Sequence, residues 1–354
     1  MRDIVYKVLY HLKVVDLFLW LERILSWRNI LIVQTYHRIV DDNSEVAPIS
    51  ILERGISKQC FINQIDFFQE HFDLLNLDDF LDVISSKRKL KSDALLLTFD
   101  DGYYDNLLCA YPYMQEKGVE GVVFVPTAYI HSQQPFWWLK LTNSIKFGDA
   151  SRWPSALNQL GPLLPLDHLD ALKKEALGSF ESRREVRRIL GVFLMNSTDD
   201  IRDETNRILD MLVDGNYVLP IRLMTFCELR TATKYGITVA THSHSHRDLD
   251  TLSYREQVAD LKASLQVLKQ ELGDCPNVVC YPSGRFNVNT FNAALECGIE
   301  YGFTTKAGAV RYREPSFDPL QIPRVGIEAA NEMELKRWLF GLIIRKYLMS
   351  IWRS

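Results

Sequence analysis

The sequence predicts an α/β fold, and three observations support this class. Short apolar runs without polar alternation are typical of parallel strands that are buried on both faces. Segments with helical apolar spacing lie between these runs, as in repeated βαβ units. Apolar residues make up 47% and charged residues 24% of the 354 residues, which fits a globular protein and excludes disorder, collagen and a pure coiled coil.

Strands are predicted at seven places along the chain. Six apolar runs give clear predictions, in the order Leu31–Tyr36, Ala94–Phe99, Gly121–Val125, Ile237–Thr241, Val278–Tyr281 and Glu300–Thr304. A weaker seventh run is Gln321–Val325. An open sheet and a closed barrel both fit this series, because both consist of parallel strands joined by helices.

Helices are predicted on both sides of the fourth strand. Thr225 and Glu228 form the pattern of a capping box, which predicts the start of a short helix that ends near Gly236. The stretch Leu252–Leu272 carries valine and leucine at helical spacing, so a longer helix is predicted there.

A helical insertion is predicted between the third and fourth strands, which lie about 110 residues apart. It covers residues 133–221 and contains helical patterns over Leu166–Phe180, Glu181–Met195 and Asp199–Val213. Three aromatic residues open the insertion, namely Phe136, Trp137 and Trp138. Packing at a domain junction and a platform for stacking sugars are alternative interpretations of these rings.

Both ends of the chain combine apolar with basic side chains, which predicts an N-terminal amphipathic helical segment at residues 1–29 and a C-terminal helix within residues 331–354. The tail Leu335–Arg353 predicts a basic amphipathic helix that docks on the body, lies on an anionic membrane surface or binds a partner protein. Residues 1–28 lack the pattern of a secretory signal, so we expect a cytoplasmic location, with peripheral membrane contact as an option. The net charge of −4 argues against nucleic acid as a partner.

Two polar clusters directly follow predicted strands. Asp100, Asp101 and Gly102 follow the second strand, and neighbouring buried carboxylates are costly unless a cation is present. Three histidines within five residues, His242, His244 and His246, follow the fourth strand, and imidazole is the commonest metal ligand among side chains.

Together the two clusters predict a metal site with open positions for water and substrate. One aspartate and two histidines supply three ligands, as catalytic zinc requires. The other aspartate is then free to act as a general base. Spacing alone leaves open whether His242 pairs with His246 or with His244.

These clusters resemble the first two motifs of the polysaccharide deacetylases (carbohydrate esterase family 4, the NodB homology domain). Thr98-Phe99-Asp100-Asp101-Gly102-Tyr103 is similar to the first motif and His242-Ser243-x-x-His246 to the second, while Val279-Cys280-Tyr281-Pro282-Ser283-Gly284 is a degenerate third. The resemblance implies a distorted (β/α)7 barrel, which we assign to residues 30–132 and 222–330, with the helical insertion at 133–221.

The resemblance also implies roles for individual residues. Asp101, His242 and His246 would bind a divalent metal, with Zn²⁺ ahead of other divalent transition metals. Asp100 would be the general base, and the backbone N–H near Ser283 would help to hold the oxyanion.

Two departures from the family pattern concern the remaining catalytic groups. Cys280 stands where the third motif usually carries an arginine, and Arg324 either replaces that arginine or forms a structural ion pair. His37, directly after the first strand, resembles the early acid motif of a permuted subgroup that includes poly-N-acetylglucosamine deacetylases. It would then protonate the leaving amine.

The expected function is therefore metal-dependent removal of N-acetyl groups from an amino-sugar glycan or glycan precursor, in a setting such as exopolysaccharide biosynthesis. Its partner would be an N-acylated sugar. A deformylase or deacetylase of a lipid-linked or nucleotide-linked amino sugar is one alternative. A non-catalytic glycan-binding protein on the same fold is the other.

Overall fold

The chain forms two compact units. One comprises the described residues of Met1–Ala47, Gly55–His131 and Met224–Ser354, and the other those of Ser132–Leu223. The structure is a computed structural model that describes residues 2–25, 29–41, 55–132, 134–175, 177–213, 221–311, 317–327, 329 and 331–351. The domain boundaries assigned from the sequence stay a prediction.

Ten strands and sixteen α-helices occur in the described residues. The strands are β1 Ile30–Tyr36, β2 Arg38–Val40, β3 Gly55–Ser57, β4 Asp73–Leu75, β5 Ala94–Asp100, β6 Gly121–Val125, β7 Ile237–Thr241, β8 Val278–Cys280, β9 Tyr301–Phe303 and β10 Val310–Arg311. The helices are α1 Arg2–His11, α2 Val14–Leu25, α3 Lys58–His71, α4 Leu77–Ile84, α5 Tyr104–Cys109, α6 Tyr111–Glu116, α7 Thr127–Ser132, α8 Trp137–Phe147, α9 Trp153–Leu160, α10 Leu166–Lys173, α11 Phe180–Met195, α12 Asp199–Asp210, α13 Phe226–Lys234, α14 Tyr254–Leu272, α15 Val288–Glu296 and α16 Glu332–Ile351.

A curled, mostly parallel sheet organises the first unit. Its order is β10-β1-β5-β6-β7-β8-β9, with β4 also pairing with β5, and only β10 runs antiparallel. Burial explains the strand sequences, because every residue of β5 and β6 is buried and β-branched or leucine side chains fill the interior. The carboxyl ends of β1, β5, β7 and β8 lie at the same edge, as parallel pairing requires.

The predicted seventh strand closes the barrel without forming a regular strand. Ile322 bridges to Phe303 of β9, and Val325 bridges to Gln34 of β1, both in parallel. Between them Pro323 lacks the backbone N–H that a continuous ladder needs. The predicted α/β fold, a distorted seven-membered (β/α) barrel with a helical insertion, is confirmed, and the six clear strands end within one residue of their predicted bounds.

The C-terminal helix docks on the first unit through one face. Leu335, Leu339 and Ile343 are buried at helical spacing, and Trp338 contacts Phe68 and Phe72 with ring centroids 6.2 and 6.1 Å apart. This favours the docked interpretation of the tail, of which Trp352 and Arg353 lie outside the described residues. None of the described helices is long and apolar enough to span a bilayer.

The second unit contains α8 to α12 around a core of its own. The predicted single helix Leu166–Phe180 is wrong: α10 ends at Lys173, and Ser179 caps a new helix by accepting a hydrogen bond from the Ser182 N–H. At the start of the unit, Phe136 is fully buried and stacks on Trp138 at 4.2 Å, so packing is the interpretation that the structure favours for this aromatic group.

Candidate active site

The two adjacent aspartates lie where β5 ends and the chain turns sharply. Asp100 and Asp101 are 2% and 3% exposed. Asp101 and Gly102 both have positive φ, 72° and 74°, which reverses the chain after the strand. A Cβ on Gly102 would stand 2.9 Å from Cγ1 of Val125, so the turn requires glycine.

Arg324 forms a two-pronged ion pair with Asp100. Its Nη1 and Nη2 donate to the two carboxylate oxygens at 2.7 Å each, and its Nε donates to the carbonyl of Thr304 at 2.9 Å. Burial alone would raise the pKa of Asp100, but the guanidinium outweighs burial and holds this pKa well below its usual value. Asp100 is thus ionised and fixed in orientation.

Asp101 meets two of the three clustered histidines. Its Oδ1 is 3.1 Å from Nε2 of His246 and 3.6 Å from Nε2 of His242. Burial alone would raise the pKa of Asp101, but the contact with His246 and the neighbouring imidazoles lower it. The ligand atoms of these three residues lie within 4.8 Å of one another, close enough to share one metal ion.

His242 is held as a neutral imidazole with one nitrogen facing Asp101. Its Nδ1 is 2.7 Å from the carbonyl oxygen of Cys280, and because a carbonyl only accepts, this nitrogen donates. Burial lowers the pKa of His242 to about 4. The Nε2 lone pair is therefore available to a metal, in the arrangement that commonly orients ligating histidines.

His244 has a different partner. Its Nδ1 lies 2.8 Å from the hydroxyl of Thr127 at the start of α7. The structure therefore brings His246, not His244, to the aspartates, which distinguishes between the two pairs that spacing left open.

A second possible ligand group shares His242 but combines it with Asp100 and Cys280. Arg324 already occupies both oxygens of Asp100. Burial raises the pKa of the Cys280 thiol well above its usual value, and metals bind the thiolate. The group around Asp101 is therefore the better candidate metal site.

His37 directly follows β1 and lies close to the carboxylate of Asp100. Its Nε2 is 3.9 Å from Oδ2 of Asp100. Asn106 of α5 fixes this segment, because its side chain donates to the His37 carbonyl at 2.8 Å and accepts from the Ile39 N–H at 3.1 Å. Asn106 was not predicted from the sequence, where an asparagine four residues after Gly102 was the available signal.

Ser283 lies in the turn after β8. Its φ is 54°, and the turn is closed by a hydrogen bond from the Gly284 N–H to the Tyr281 carbonyl at 2.9 Å. Ser283 is exposed and lies three residues after Cys280, which contacts both His242 and Asp100. The predicted oxyanion donor thus belongs to the strand end beside the aspartates.

The histidine loop rests on one face of α14. Asp260 accepts from the backbone N–H groups of His244 and Ser245 at 2.7 and 3.1 Å. One turn later, Ser264 donates to the Ser243 carbonyl at 3.0 Å. Neither support is evident from the sequence, because the apolar spacing of this helix predicts only its buried leucine face.

Comparisons with known proteins agree with this geometry. The family model described as polysaccharide deacetylase matches residues 225–302, which contain the histidine loop and the third motif. The Bacillus subtilis (strain 168) protein named "Putative polysaccharide deacetylase YxkH" is 27% identical over 82 residues, a stretch that covers 23% of this chain and 29% of that relative's length.

Two solved structures share the fold over most of the chain. The Streptococcus pyogenes deacetylase PplD in complex with acetate has a TM-score of 0.56 at 17% identity, covering 88% of this chain and 98% of its own. A de-N-acetylase from Aggregatibacter actinomycetemcomitans has a TM-score of 0.53 at 14% identity, and the match covers 88% of this chain and 100% of that chain. At these identities the likeness shows the fold alone. The family model thus shows similarity to the polysaccharide deacetylases over residues 225–302, and the geometry of Asp100 and Asp101 beside the histidine loop agrees with that similarity.

Proposed function

We propose that this protein is a metal-dependent hydrolase that removes N-acetyl groups from an amino-sugar glycan or glycan precursor. The observation that carries the proposal is that two neighbouring carboxylates, Asp100 and Asp101, have different partners. Arg324 holds Asp100 as a fixed, ionised group, while Asp101 shares its oxygen with His242 and His246. One aspartate thus suits proton transfer and the other suits a metal.

The donor set around Asp101 fits a divalent metal. It combines one carboxylate with the Nε2 atoms of His242 and His246, a mixture of oxygen and nitrogen ligands that favours Zn²⁺ over hard cations such as Mg²⁺. A metal held by these residues would polarise the acyl carbonyl and activate water at neutral pH.

Asp100 takes the proton of the attacking water in this proposal. Its ionised state and its fixed orientation against Arg324 meet the two requirements of a general base, correct protonation and correct geometry. The backbone N–H of Ser283 donates to the carbonyl oxygen as negative charge develops there.

His37 returns a proton to the leaving amine. Its Nε2 lies 3.9 Å from Oδ2 of Asp100, so the proposed acid and the proposed base are close enough to act on one scissile amide. Asn106 fixes the backbone of His37 and thereby the position of its ring. The acid comes early in the chain, the order that the permuted subgroup uses.

The names of the relatives support an N-acetyl substrate. The Bacillus protein is named for polysaccharide deacetylation and the Aggregatibacter protein for de-N-acetylation. We further propose that the substrate is an exopolysaccharide or its precursor, and that the reaction takes place in the cytoplasm at the face of the membrane. Release of formate from a lipid-linked or nucleotide-linked sugar would instead identify the deformylase alternative.

Mass spectrometry of amino sugars incubated with the Zn²⁺-loaded full chain tests the proposal. The expected product has lost one acetyl group and carries a free amine. Asp100→Asn should keep its metal but lose turnover by about 10²–10⁴-fold, while His242→Ala should lose the metal itself. Full activity of Asp100→Asn would disprove the base assignment, and glycan binding without acyl release would identify a non-catalytic protein.

A further inference from the structure

Helix α2 is apolar on two sides, and only one of them is covered. Val15 and Leu19 face inward and are 1% and 6% exposed. The same helix contacts α16, where Lys336 donates to Asp16 at 2.5 Å. The apolar side of a surface helix normally faces the core, so the uncovered apolar side of α2 needs an explanation.

The uncovered side carries a continuous ridge of large apolar residues. The outer ridge, as we name it, consists of Leu12, in the turn before α2, and of Val14, Leu17, Trp20 and Leu21 on α2, which are 67, 44, 56, 59 and 40% exposed. Leu17 and Trp20 stand three residues apart and Leu17 and Leu21 four, so they share one helical face. Contiguous exposed apolar surface of this kind marks an interaction site.

The charge beside the ridge is basic. Lys13, between the first two ridge residues, has a side chain that is 76% exposed. Asp16 is the acidic residue of α2 nearest to Lys13, and the two side chains are 3.4 Å apart. Asp16 is also paired with Lys336. Lys7 of α1 is also exposed. Anionic lipid headgroups complement this arrangement.

We propose that the outer ridge lies in the interface of an anionic membrane, with α2 parallel to the bilayer plane. A single convex helix with an exposed tryptophan suits a flat interface, where the indole sits at headgroup level. The insertion is shallow, because a helix parallel to the bilayer plane buries only its apolar side. The proposal deepens the proposed function, because it would present the active site to a membrane-borne glycan, but vesicle binding is measured without turnover.

Co-sedimentation of the full chain with phosphatidylcholine vesicles, with and without phosphatidylglycerol, tests the proposal. We expect binding to the anionic vesicles, and about a tenfold or greater loss in a Leu17→Ser, Trp20→Ser variant. The matched control is Val288→Ser, Leu295→Ser, which removes two apolar side chains of similar exposure, 69% and 58%, from α15. Lys13→Glu should weaken binding to anionic vesicles and make it less sensitive to salt.

Equal binding by the ridge variant and its control would overturn the proposal, as would failure of the wild-type chain to bind anionic vesicles. Light scattering without lipid separates a second occupant: a dimer that the ridge variant alone loses would assign the ridge to a second copy of the chain. Circular dichroism and thermal unfolding of each variant ensure that only folded proteins are compared.

Discussion

Arg324 is the residue whose role the structure clarifies most. In the polysaccharide deacetylases that the motifs resemble, the third motif usually carries an arginine where this chain has Cys280. The sequence left open whether Arg324 replaces that arginine or forms a structural ion pair. The structure shows a bidentate contact with Asp100, across 224 residues of sequence. No local pattern encodes a contact at that separation, whereas Asp100, Asp101 and the histidines are recognisable because each cluster directly follows its own strand.

Arg324→Lys should therefore lower kcat by about 10²-fold while leaving the metal content unchanged, because lysine keeps the charge but not the planar fork that orients Asp100. Steady-state kinetics and elemental analysis measure the two effects. Arg285→Lys is the control, since Arg285 pairs with Asp248 and Asp250 and has a side chain that is 45% exposed. An unchanged kcat in Arg324→Lys would show that the fork does not position the base.

At the scale of elements, the sequence predicts what local forces decide. Burial on both faces determines the six clear strands, and the capping box at Thr225 and Glu228 is present as predicted. The errors arise where a local feature interrupts a pattern. Pro323 breaks the seventh strand, and the cap at Ser179 starts a new helix in the insertion.

Helix α14 supports the histidine loop, a role that its apolar periodicity does not predict. Asp260 and Ser264, four residues apart on one face, hold the loop in which Ser243 and His246 adopt positive φ values of 67° and 56°. Non-glycine residues rarely adopt this conformation without support. The helix therefore acts as the template that presents His242 and His246 to Asp101.

Asp260→Asn should weaken metal binding by about 10–100-fold. Asp260 accepts from the backbone N–H groups of His244 and Ser245 and from the Ser245 hydroxyl, and an amide, with one oxygen, cannot accept all three hydrogen bonds. Competition with a chromophoric chelator measures the affinity. Glu271→Gln, at the far end of the same helix, is the control and should bind metal as the wild-type chain does. Equal affinities for the two variants would mean that the loop holds its shape without α14.

At the scale of the whole molecule, every candidate catalytic residue belongs to the barrel unit, and the second unit has a core of its own. The chain order of the motifs predicts this division, because they fall on both sides of the insertion. The sequence of the second unit contains no comparable motif that predicts a role for it. In its opening aromatic group Phe136 is fully buried and stacks on Trp138, which favours packing over sugar stacking for Phe136.

The stability of the molecule should depend on metal if Asp101, His242 and His246 bind it together. A ligand that binds only the folded chain stabilises it by mass action, by about 2.7 kcal/mol at a hundredfold excess over Kd. Zn²⁺ should thus raise the thermal midpoint of the wild-type chain by a few degrees, and a chelator should reverse the change. His242→Ala should show no such shift, whereas His131→Ala, which removes an exposed imidazole on α7, should behave as wild type. Scanning calorimetry measures all three proteins, and an equal Zn²⁺ response in His242→Ala would mean that the metal binds outside the proposed site.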